Sequence, residues 1–234
     1  MTSSGNPAAL IDLWPAAGAR VRAGDLEMRW IDDALAVDLA LLAGRGVHDD
    51  DAMPFNYPWT RGTPREVARS VLAFQWSARS LVTPKRLVLE LGVRVDGQPV
   101  GIQSASGDRW AELREVETGS WLGRAYQGRG IGTRMRALML HFCFEALGAE
   151  SVTSSAFEDN AASNAVSLRT GYVRDGIWRA VRDGKAATQV RYRMDRSRWD
   201  AVRAANQELL GADVVVAGVD RLLDDLATGS GNVE

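Results

Sequence analysis

The first regular pattern along the chain is an alternation of apolar and polar residues that gives way to helical spacing. Residues 26–31 (Leu-Glu-Met-Arg-Trp-Ile) alternate as the two faces of a β-strand do. Asp32 and Asp33 then supply side chains that cap helix starts, and apolar residues recur to about Ala43, where Gly44 ends the segment. These patterns predict a strand followed directly by a helix.

Two segments around this unit lack such a pattern. Residues 1–24 contain Ser, Gly, Ala and two prolines without periodicity, so we expect a flexible N-terminal arm. Residues 47–64 hold three prolines with three aromatic residues between them, which predicts an irregular aromatic loop. A capping signal at Thr63 and Pro64 then predicts a helix that runs to about Arg79.

The middle of the chain predicts a hairpin followed by alternating strands and helices. Residues 86–95 and 99–104 flank Asp96-Gly97, a dipeptide that readily adopts the positive φ angles of a tight turn. The next predicted elements are a strand at 113–122, a helix at 132–147, a strand at 151–156, a short helix at 162–170 and strands at 177–182 and 188–194. This order predicts an α/β fold with a mixed central sheet flanked by helices, over residues 25–196.

The rest of the chain follows this domain. Residues 197–234 carry two helix-like stretches around a run of valines, followed by Gly229-Ser230-Gly231. They predict a C-terminal helical extension with a flexible tail. The extension is expected either to dock on the domain or to form a subunit contact in a homodimer or larger homo-oligomer.

Composition narrows the classes of protein and of partner. The chain has 234 residues, and its apolar fraction of 46% and charged fraction of 25% are those of a soluble globular domain. Twenty-eight basic side chains against 30 acidic ones leave a net charge of −2, which argues against nucleic acid as a partner. Apolar runs are shorter than the roughly 18–20 residues of a membrane span, and the start lacks a signal-peptide pattern, so we expect a cytoplasmic protein without membrane contact.

One cysteine and two histidines leave little for thiol or metal chemistry. Cys143 lies in the apolar run 138–144, where a small buried hydrophobe is the usual role and a nucleophile is the alternative. With only His48 and His141 beside it, the sequence offers no Cys/His cluster for zinc, and we expect no metal.

Chemistry concentrates in a glycine-rich segment between a predicted strand and a predicted helix. Gly128, Gly130 and Gly132 permit close backbone approach, and the helix start offers free N–H groups and a positive dipole end. Together they predict an anion site for a pyrophosphate, to which Arg129 and Arg134 could add charge. The glycine spacing fits neither a dinucleotide-binding fingerprint nor a Lys-containing phosphate loop.

Several motifs around this segment resemble one family. Residues 127–132 (Gln-Gly-Arg-Gly-Ile-Gly) resemble the Q/R-x-x-G-x-G/A acyl-CoA signature of the GNAT superfamily. Residues 117–122 (Glu-Thr-Gly-Ser-Trp-Leu) are similar to the E-x-G-x-W-L strand of its RimJ/RimL-like branch, and residues 159–172 to its D-N-x-x-S and G-F/Y segment. The hairpin at 96–101 agrees with the D-G-x-x-x-G pattern of that branch, so the resemblance covers roughly residues 26–194.

The resemblance implies a GNAT fold, in which two central strands splay apart, and acyl-CoA (acetyl-CoA or succinyl-CoA) as the co-substrate. The pantetheine arm is then expected along the strand near Trp121 and Leu122, in contact with Asn160. The residues implied to hold the pyrophosphate are Gln127, Gly128, Arg129, Gly130, Ile131, Gly132 and Thr133.

Glu117 and Ser163 are the candidate catalytic residues. Strand periodicity puts Glu117 on the same face as Trp121, from which a carboxylate can take the proton of an amine. Ser163 is implied by the resemblance to face the thioester sulfur and to donate to the leaving thiolate. The alternatives are that Glu117 is a structural or an exposed residue, and that Asn160 and Ser163 cap the short helix. Ser167 occupies the place where related N-acetyltransferases often have a tyrosine.

The aromatic loop is the candidate wall for the acceptor. Its large residues Met53, Phe55 and Trp59 lie among prolines, which favours a rigid pocket. Packing of Phe55 and Trp59 against the core is an equally good interpretation. His48, which precedes three aspartates, is better explained by an exposed acidic turn than by contact with the acceptor.

Together these features predict an enzyme that transfers an acyl group, acetyl or another short group such as succinyl, from acyl-CoA to a primary amine. The acceptor is expected to be a protein or a small molecule. Transfer is expected to proceed by direct attack, without a covalent acyl-enzyme. The alternative function is a non-catalytic module that senses acyl-CoA through the same cleft.

Overall fold

The computed structural model describes residues 6–228, in which eight α-helices flank one nine-stranded sheet. The strands are β1 (Arg20–Ala23), β2 (Leu26–Trp30), β3 (Arg86–Val95), β4 (Gln98–Asp108), β5 (Glu115–Leu122), β6 (Ser151–Phe157), β7 (Val173–Arg182), β8 (Lys185–Asp195) and β9 (Val214–Ala217). The helices are α1 (Pro7–Leu13), α2 (Asp33–Gly44), α3 (Pro64–Ala78), α4 (Trp110–Leu113), α5 (Ile131–His141), α6 (Ala161–Arg169), α7 (Arg196–Leu210) and α8 (Asp220–Thr228). The strand order is β7-β8-β6-β5-β4-β3-β2-β1-β9, and all neighbours are antiparallel except β5 and β6. The predicted α/β fold with a mixed sheet is confirmed.

Local sequence signals set several element boundaries. The Asp32 carboxylate accepts from a backbone N–H three residues on, at 2.8 Å, and caps α2. Thr63 and Glu66 form a reciprocal capping box at the start of α3. The hairpin of β3 and β4 turns at Asp96 and Gly97, whose φ angles are 48° and 76°. These elements are confirmed where the sequence predicts them.

Helices cover both faces of the sheet. One face packs on α5 and α7, and the other packs on α2 and α3. The apolar residues of the helix predicted at 132–147 form one buried stripe along α5, which continues into a π-helical turn at Phe142–Ala146. Cys143 is fully buried there, and burial raises the pKa of its thiol to about 12, so the interpretation of Cys143 as a small buried hydrophobe is confirmed. Among residues 6–228, the helices are too short or too polar to cross a membrane.

The N-terminal segment differs from the flexible arm predicted for residues 1–24. Residues 7–13 form α1, and β1 pairs with both β2 and β9, with Val21 and Ala23 fully buried. The sequence signal is weak because β1 has only four residues, too few for a clear alternation, and because its partner β9 lies near the other end of the chain. Residues 1–5 lie outside the described residues.

The C-terminal extension belongs to the same core. Trp199 of α7 is fully buried, and its indole N–H donates to Glu145 Oε1 at 2.6 Å. β9 forms the edge of the sheet beside β1, and Leu222 and Leu226 of α8 join the main hydrophobic cluster. The predicted flexible tail, from Gly229 onward, lies outside the described residues.

β5 and β6 pair only over their first three residues. The parallel ladder joins residues 115–117 to residues 151–153, and beyond it the two strands separate while each keeps its other neighbour. Residues 118–122 of β5 therefore have no strand partner on the side that faces β6. This gap at the centre of the sheet positions the candidate site.

Candidate active site

A cavity of about 920 Å³ opens where β5 and β6 separate. Its walls come from the aromatic loop, β5, the start of α5, β6, the start of α6 and the turn between β7 and β8. The predicted site residues that line it are Met53, Phe55, Glu117, Trp121, Leu122, Gln127, Gly132, Asn160 and Ser163. The predicted site residues outside this lining are Trp59, Gly128, Arg129, Gly130, Ile131 and Thr133. Segments far apart in the sequence therefore meet at one cavity.

The glycine loop ends at a helix start with free amides. Gly130 is the N-cap of α5 and, like Gly128, has a positive φ (75° and 71°), a conformation that favours glycine. A Cβ added at either glycine meets no atom within 4 Å, so the space beside them is open. The N–H groups in the first turn of α5 have no acceptor within the helix and can bind an anion. Arg129, beside them, is exposed.

Gln127 makes structural contacts that the sequence does not predict. Its side-chain amide donates to the carbonyl oxygens of Val47 at 2.7 Å and Leu122 at 2.9 Å. It therefore ties the aromatic loop and the end of β5 to the glycine loop. Arg134, considered as a further charge for the anion, pairs with Asp25, and this contact lowers the pKa of the Asp25 carboxyl.

Alternate residues of β5 face the two sides of the sheet. Glu117 is exposed at the cavity, and the Ser155 hydroxyl of β6 donates to its Oε1 at 2.5 Å. Trp121 lies on the same face, towards α2 and α3, with its ring 5.8 Å from that of Trp59. Thr118 faces the other way. The shared face predicted for Glu117 and Trp121 is confirmed, and the role of Glu117 as a base stays a prediction.

The side of β5 that faces α5 meets a buried arginine, which the sequence does not single out. Arg136 of α5 is 3% exposed and lines the cavity at the gap. Its Nη1 donates to Ser154 Oγ on β6 at 2.9 Å, and its Nη2 donates to Ser120 Oγ on β5 at 3.4 Å. The helical spacing of apolar residues contains a signal for the burial of Arg136. Position 136 precedes the buried Met139 and Leu140 by three and four residues, so it lies on the apolar face of α5.

Two polar side chains near the gap are buried behind the cavity. The Tyr172 hydroxyl shares a hydrogen bond with Thr118 Oγ1 at 3.0 Å, and burial raises the pKa of the phenol. Ser167 is fully buried, and its hydroxyl has no hydrogen-bond partner within residues 6–228. Neither Tyr172 nor Ser167 lines the cavity, which agrees with packing roles for both.

The start of α6 forms another wall of the cavity. Asn160 Oδ1 accepts from the Ser163 backbone N–H at 3.1 Å and caps the helix, so the capping interpretation is right for Asn160. This contact does not involve the Ser163 hydroxyl. Because both residues also line the cavity, the cap and a ligand contact are compatible.

The aromatic loop is held by its own rings. Phe55 and Trp59 lie 4.9 Å apart between ring centroids, and Trp59 packs on the cluster beneath α2 and α3. The loop is thus pinned to the core, while Met53 and Phe55 still face the cavity. His48 also lines the cavity, and its Nε2 lies 2.7 Å from Thr60 Oγ1, so it is more enclosed than the exposed turn that the sequence favours.

Most charged groups at the cavity are paired. Ion pairs join Arg124 to Asp49 (2.7 Å), Arg182 to Asp159 (2.7 Å) and Arg61 to Asp183 (2.9 Å). In the part of the chain that the structure describes, Asp51 and Glu117 are the lining carboxylates without an ion pair. Arg136 is the lining arginine without an ion pair in the same part of the chain, so two unpaired carboxylates stand against one unpaired cation, and the carboxylates favour a cationic ligand beside them. The same part of the chain contains no group of three or more His, Cys, Asp or Glu side chains that could hold a metal ion.

Known proteins match this chain by family and by fold. The family model described as an acetyltransferase (GNAT) domain matches residues 25–173. RimJ of Mycobacterium smegmatis, in complex with CoA-disulfide, is similar at 21% identity and a TM-score of 0.64, over 83% of this chain and 93% of that chain. A GCN5-related N-acetyltransferase from Brucella melitensis is similar at 20% identity and a TM-score of 0.64, over 82% of this chain and 85% of that chain. RimL, a ribosomal L7/L12 alpha-N-protein acetyltransferase in complex with coenzyme A, is similar at 18% identity and a TM-score of 0.57, over 74% of this chain and 95% of that chain.

Proposed function

Because this chain belongs to the GNAT acetyltransferase family, we propose that it transfers an acetyl group, or another short acyl group such as succinyl, to a primary amine. Membership makes the protein an acyl-CoA-dependent N-acyltransferase. The acceptor is the amine of a protein or of a small molecule. The observation that carries the proposal is the convergence of Glu117, Ser163 and the glycine-loop residues Gln127 and Gly132 on the gap between β5 and β6.

The donor binds along β5 with its pyrophosphate at the start of α5. The free amides of the first turn and the open space beside Gly128 and Gly130 support this position for the phosphates. The unpaired edge of β5 near Trp121 and Leu122 offers backbone groups to the amides of the pantetheine arm. Asn160 lines the same cavity, within reach of that arm.

The acceptor approaches from the side of α2 and α3. Met53 and Phe55 supply apolar surface on this side, and the unpaired carboxylates of Asp51 and Glu117 attract a protonated amine. A cationic acceptor therefore arrives beside the group that can take its proton. This arrangement supports a basic amine, on a small molecule or on a peptide segment, over a neutral or acidic acceptor.

Transfer proceeds by direct attack of the neutral amine on the thioester carbonyl carbon. Glu117 takes the proton that the nitrogen loses, and the hydrogen bond from Ser155 fixes its carboxylate at the gap. The C–N bond forms and the C–S bond breaks, with the electron pair of the C–S bond left on sulfur. The Ser163 hydroxyl donates a hydrogen bond to the departing thiolate.

Timed thiol release tests the function. Purified protein is incubated with acetyl-CoA or succinyl-CoA and a panel of primary amines that includes diamines and peptides with free N-termini or lysines. We expect amine-dependent thiol release with at least one pair, and a melting temperature raised by coenzyme A because the ligand binds only the folded protein. A larger kcat/KM with succinyl-CoA would identify a carboxylate-bearing donor, and the reverse would identify acetyl-CoA. Binding without turnover of any amine would instead indicate an acyl-CoA sensor.

A further inference from the structure

Arg136 is the buried cation of the gap between β5 and β6. Its side chain is 3% exposed and makes no ion pair with a carboxylate among residues 6–228. An unpaired ion is costly to bury, so a guanidinium in this position needs a compensating group. The described residues supply only neutral groups, namely two serine hydroxyls and the ring of Tyr172, 5.9 Å from the guanidinium carbon.

The two hydroxyls hold the guanidinium between the separated strands. Ser120 on β5 and Ser154 on β6 each accept one terminal N–H of Arg136, and the Ser154 hydroxyl donates in turn to the carbonyl oxygen of Thr118 at 3.4 Å. The Nε–H of Arg136 is buried and has no partner in the described part of the chain. Since Arg136 also lines the cavity, it is a positioned cation with hydrogen-bonding capacity to spare.

The phosphates of coenzyme A are not the anion that this cation faces. They bind at the start of α5, and Arg136 lies five residues beyond Ile131, about 7.5 Å along the helix axis. Glu117 on β5 and Ser163 on α6 line the same cavity as Arg136, so a thioester on which both of them act lies in the cavity that Arg136 also lines. The thioester atom that keeps a negative charge after transfer is the sulfur of the leaving group.

We propose that Arg136 is a catalytic cation that stabilises the coenzyme A thiolate as it leaves, an inference that rests on the proposed function. The amine nitrogen attacks the carbonyl carbon, Glu117 takes its proton, and the C–S bond breaks with both electrons on sulfur. Arg136 keeps its own proton throughout, because arginine does not deprotonate in proteins. Its charge complements the hydrogen bond from Ser163, and solvent later supplies the proton that converts the thiolate to the thiol.

The acidity of the bound thiol tests this role, with desulfo-coenzyme A as the matched ligand that lacks the sulfur. Dissociation constants of both ligands are measured from about pH 6 to 9.5, a range that brackets ordinary thiol ionisation. A cation beside the sulfur lowers the pKa of the bound thiol. The wild-type preference for coenzyme A over desulfo-coenzyme A should therefore grow with pH, by about tenfold for each unit of lowering.

The variants separate charge from shape. Arg136→Met keeps an apolar side chain in the gap and should lose the pH-dependent preference, and Arg136→Lys should retain part of it. Arg221→Met removes an exposed arginine, which pairs with Asp12, and should behave as the wild type. With an active acceptor, Arg136→Met should lower kcat by roughly 10²- to 10³-fold with little change in the KM for acyl-CoA.

Each contrary outcome points to one hypothesis. Failure of both ligands to bind at any pH contradicts the acyl-CoA site itself. Equal binding of the two ligands by the wild type at every pH overturns the role of Arg136 alone, and this measurement needs no variant to fold. An undiminished preference in Arg136→Met also overturns it. So does an equal loss of affinity for both ligands in that variant, which would mean that Arg136 only holds the strands in position.

Discussion

The donor side and the acceptor side of the gap are built in opposite ways. In the proposed function, the donor side is largely one continuous stretch, residues 118–133, and it offers mainly the backbone groups of β5 and of the first turn of α5. The acceptor side is assembled from the aromatic loop, β4, Glu117 of β5, β6 and the turn between β7 and β8, and it offers side chains. A surface of backbone amides keeps its chemistry when its side chains change, whereas a surface of side chains does not.

This difference separates what fixes the donor from what selects the acceptor. In the proposed function, the amides of α5 recognise a phosphate by helix geometry, so a family motif is enough to propose their ligand. The loop that carries Met53 and Phe55 can change its chemistry while the sheet stays the same. Family membership therefore determines coenzyme A as the carrier and leaves the amine to be decided by experiment.

The largest expected effect is on the acceptor side. Glu117→Gln keeps the size of the side chain but removes its capacity to take a proton, so kcat should fall by roughly 10²- to 10⁴-fold near neutral pH. Raising the pH should restore part of the rate, because more of the amine then arrives neutral. A pH–rate series of thiol release is the measurement, with Glu208→Gln on the exposed face of α7 as the control. A near-wild-type rate for Glu117→Gln would remove Glu117 as the base.

On the donor side, Gly130→Glu should weaken coenzyme A binding by about 100-fold or more in a folded protein. It puts a carboxylate where backbone should meet pyrophosphate. Gly211→Glu is the matched control, because Gly211 also has a positive φ (68°) and open space, but it follows α7 outside the cavity lining. Calorimetry and circular dichroism measure affinity and fold. Equal losses in the two variants would assign the effect to backbone strain and contradict the anion site.

Ser163→Ala lies between the two sides and should have a smaller effect. Loss of one hydrogen bond to the thiolate should lower kcat by about 10- to 100-fold, with little recovery at higher pH because the amine is not affected. The cap of α6 should survive, since Asn160 accepts from the backbone of residue 163 and not from its hydroxyl. Ser80→Ala, at an exposed serine, is the control. Full recovery at high pH would mean that Ser163 acts on the amine.

The sequence predicts the local structure of residues 117–133 well because its signals are local. Gly130 is read from the glycine spacing and the helix that follows, and the shared face of Glu117 and Trp121 is read from a two-residue period. Each signal depends on neighbours within a few positions. Their convergence on one cavity is a property of the sheet, which the family resemblance implies and the pairing of β5 with β6 explains.

What the sequence does not predict depends on distant contacts. β1 is four residues long and is stabilised by β9 from the far end of the chain, so no local pattern announces it. Gln127 ties its loop to Val47, 80 positions away. Arg136 had a local signal, a charge on an apolar stripe, but its partners Ser120 and Ser154 become visible only when the strands are in place.

The smallest expected effect concerns stability, and it contrasts Arg136 with Glu90, a half-buried ionisable group of β3 beneath α3. Gln75 Nε2 donates to Glu90 Oε2 at 3.1 Å, and burial raises the pKa of the carboxyl from 4.5 to about 7. The folded protein thus holds a proton that the unfolded chain loses, so the contribution of Glu90 to the free energy of unfolding falls as pH rises from about 4.5 to 7. The free energy of unfolding of Glu90→Gln should equal that of the wild type near pH 4.5. Above pH 7 it should exceed that of the wild type by on the order of 1 kcal/mol, since the partial exposure of Glu90 limits the effect. Urea unfolding across this pH range measures the difference, with the exposed Glu112→Gln as the control. If the difference in the free energy of unfolding between Glu90→Gln and the wild type stays constant with pH, Glu90 is ionised in the fold, and β3 carries a charge within the fold just as α5 carries that of Arg136.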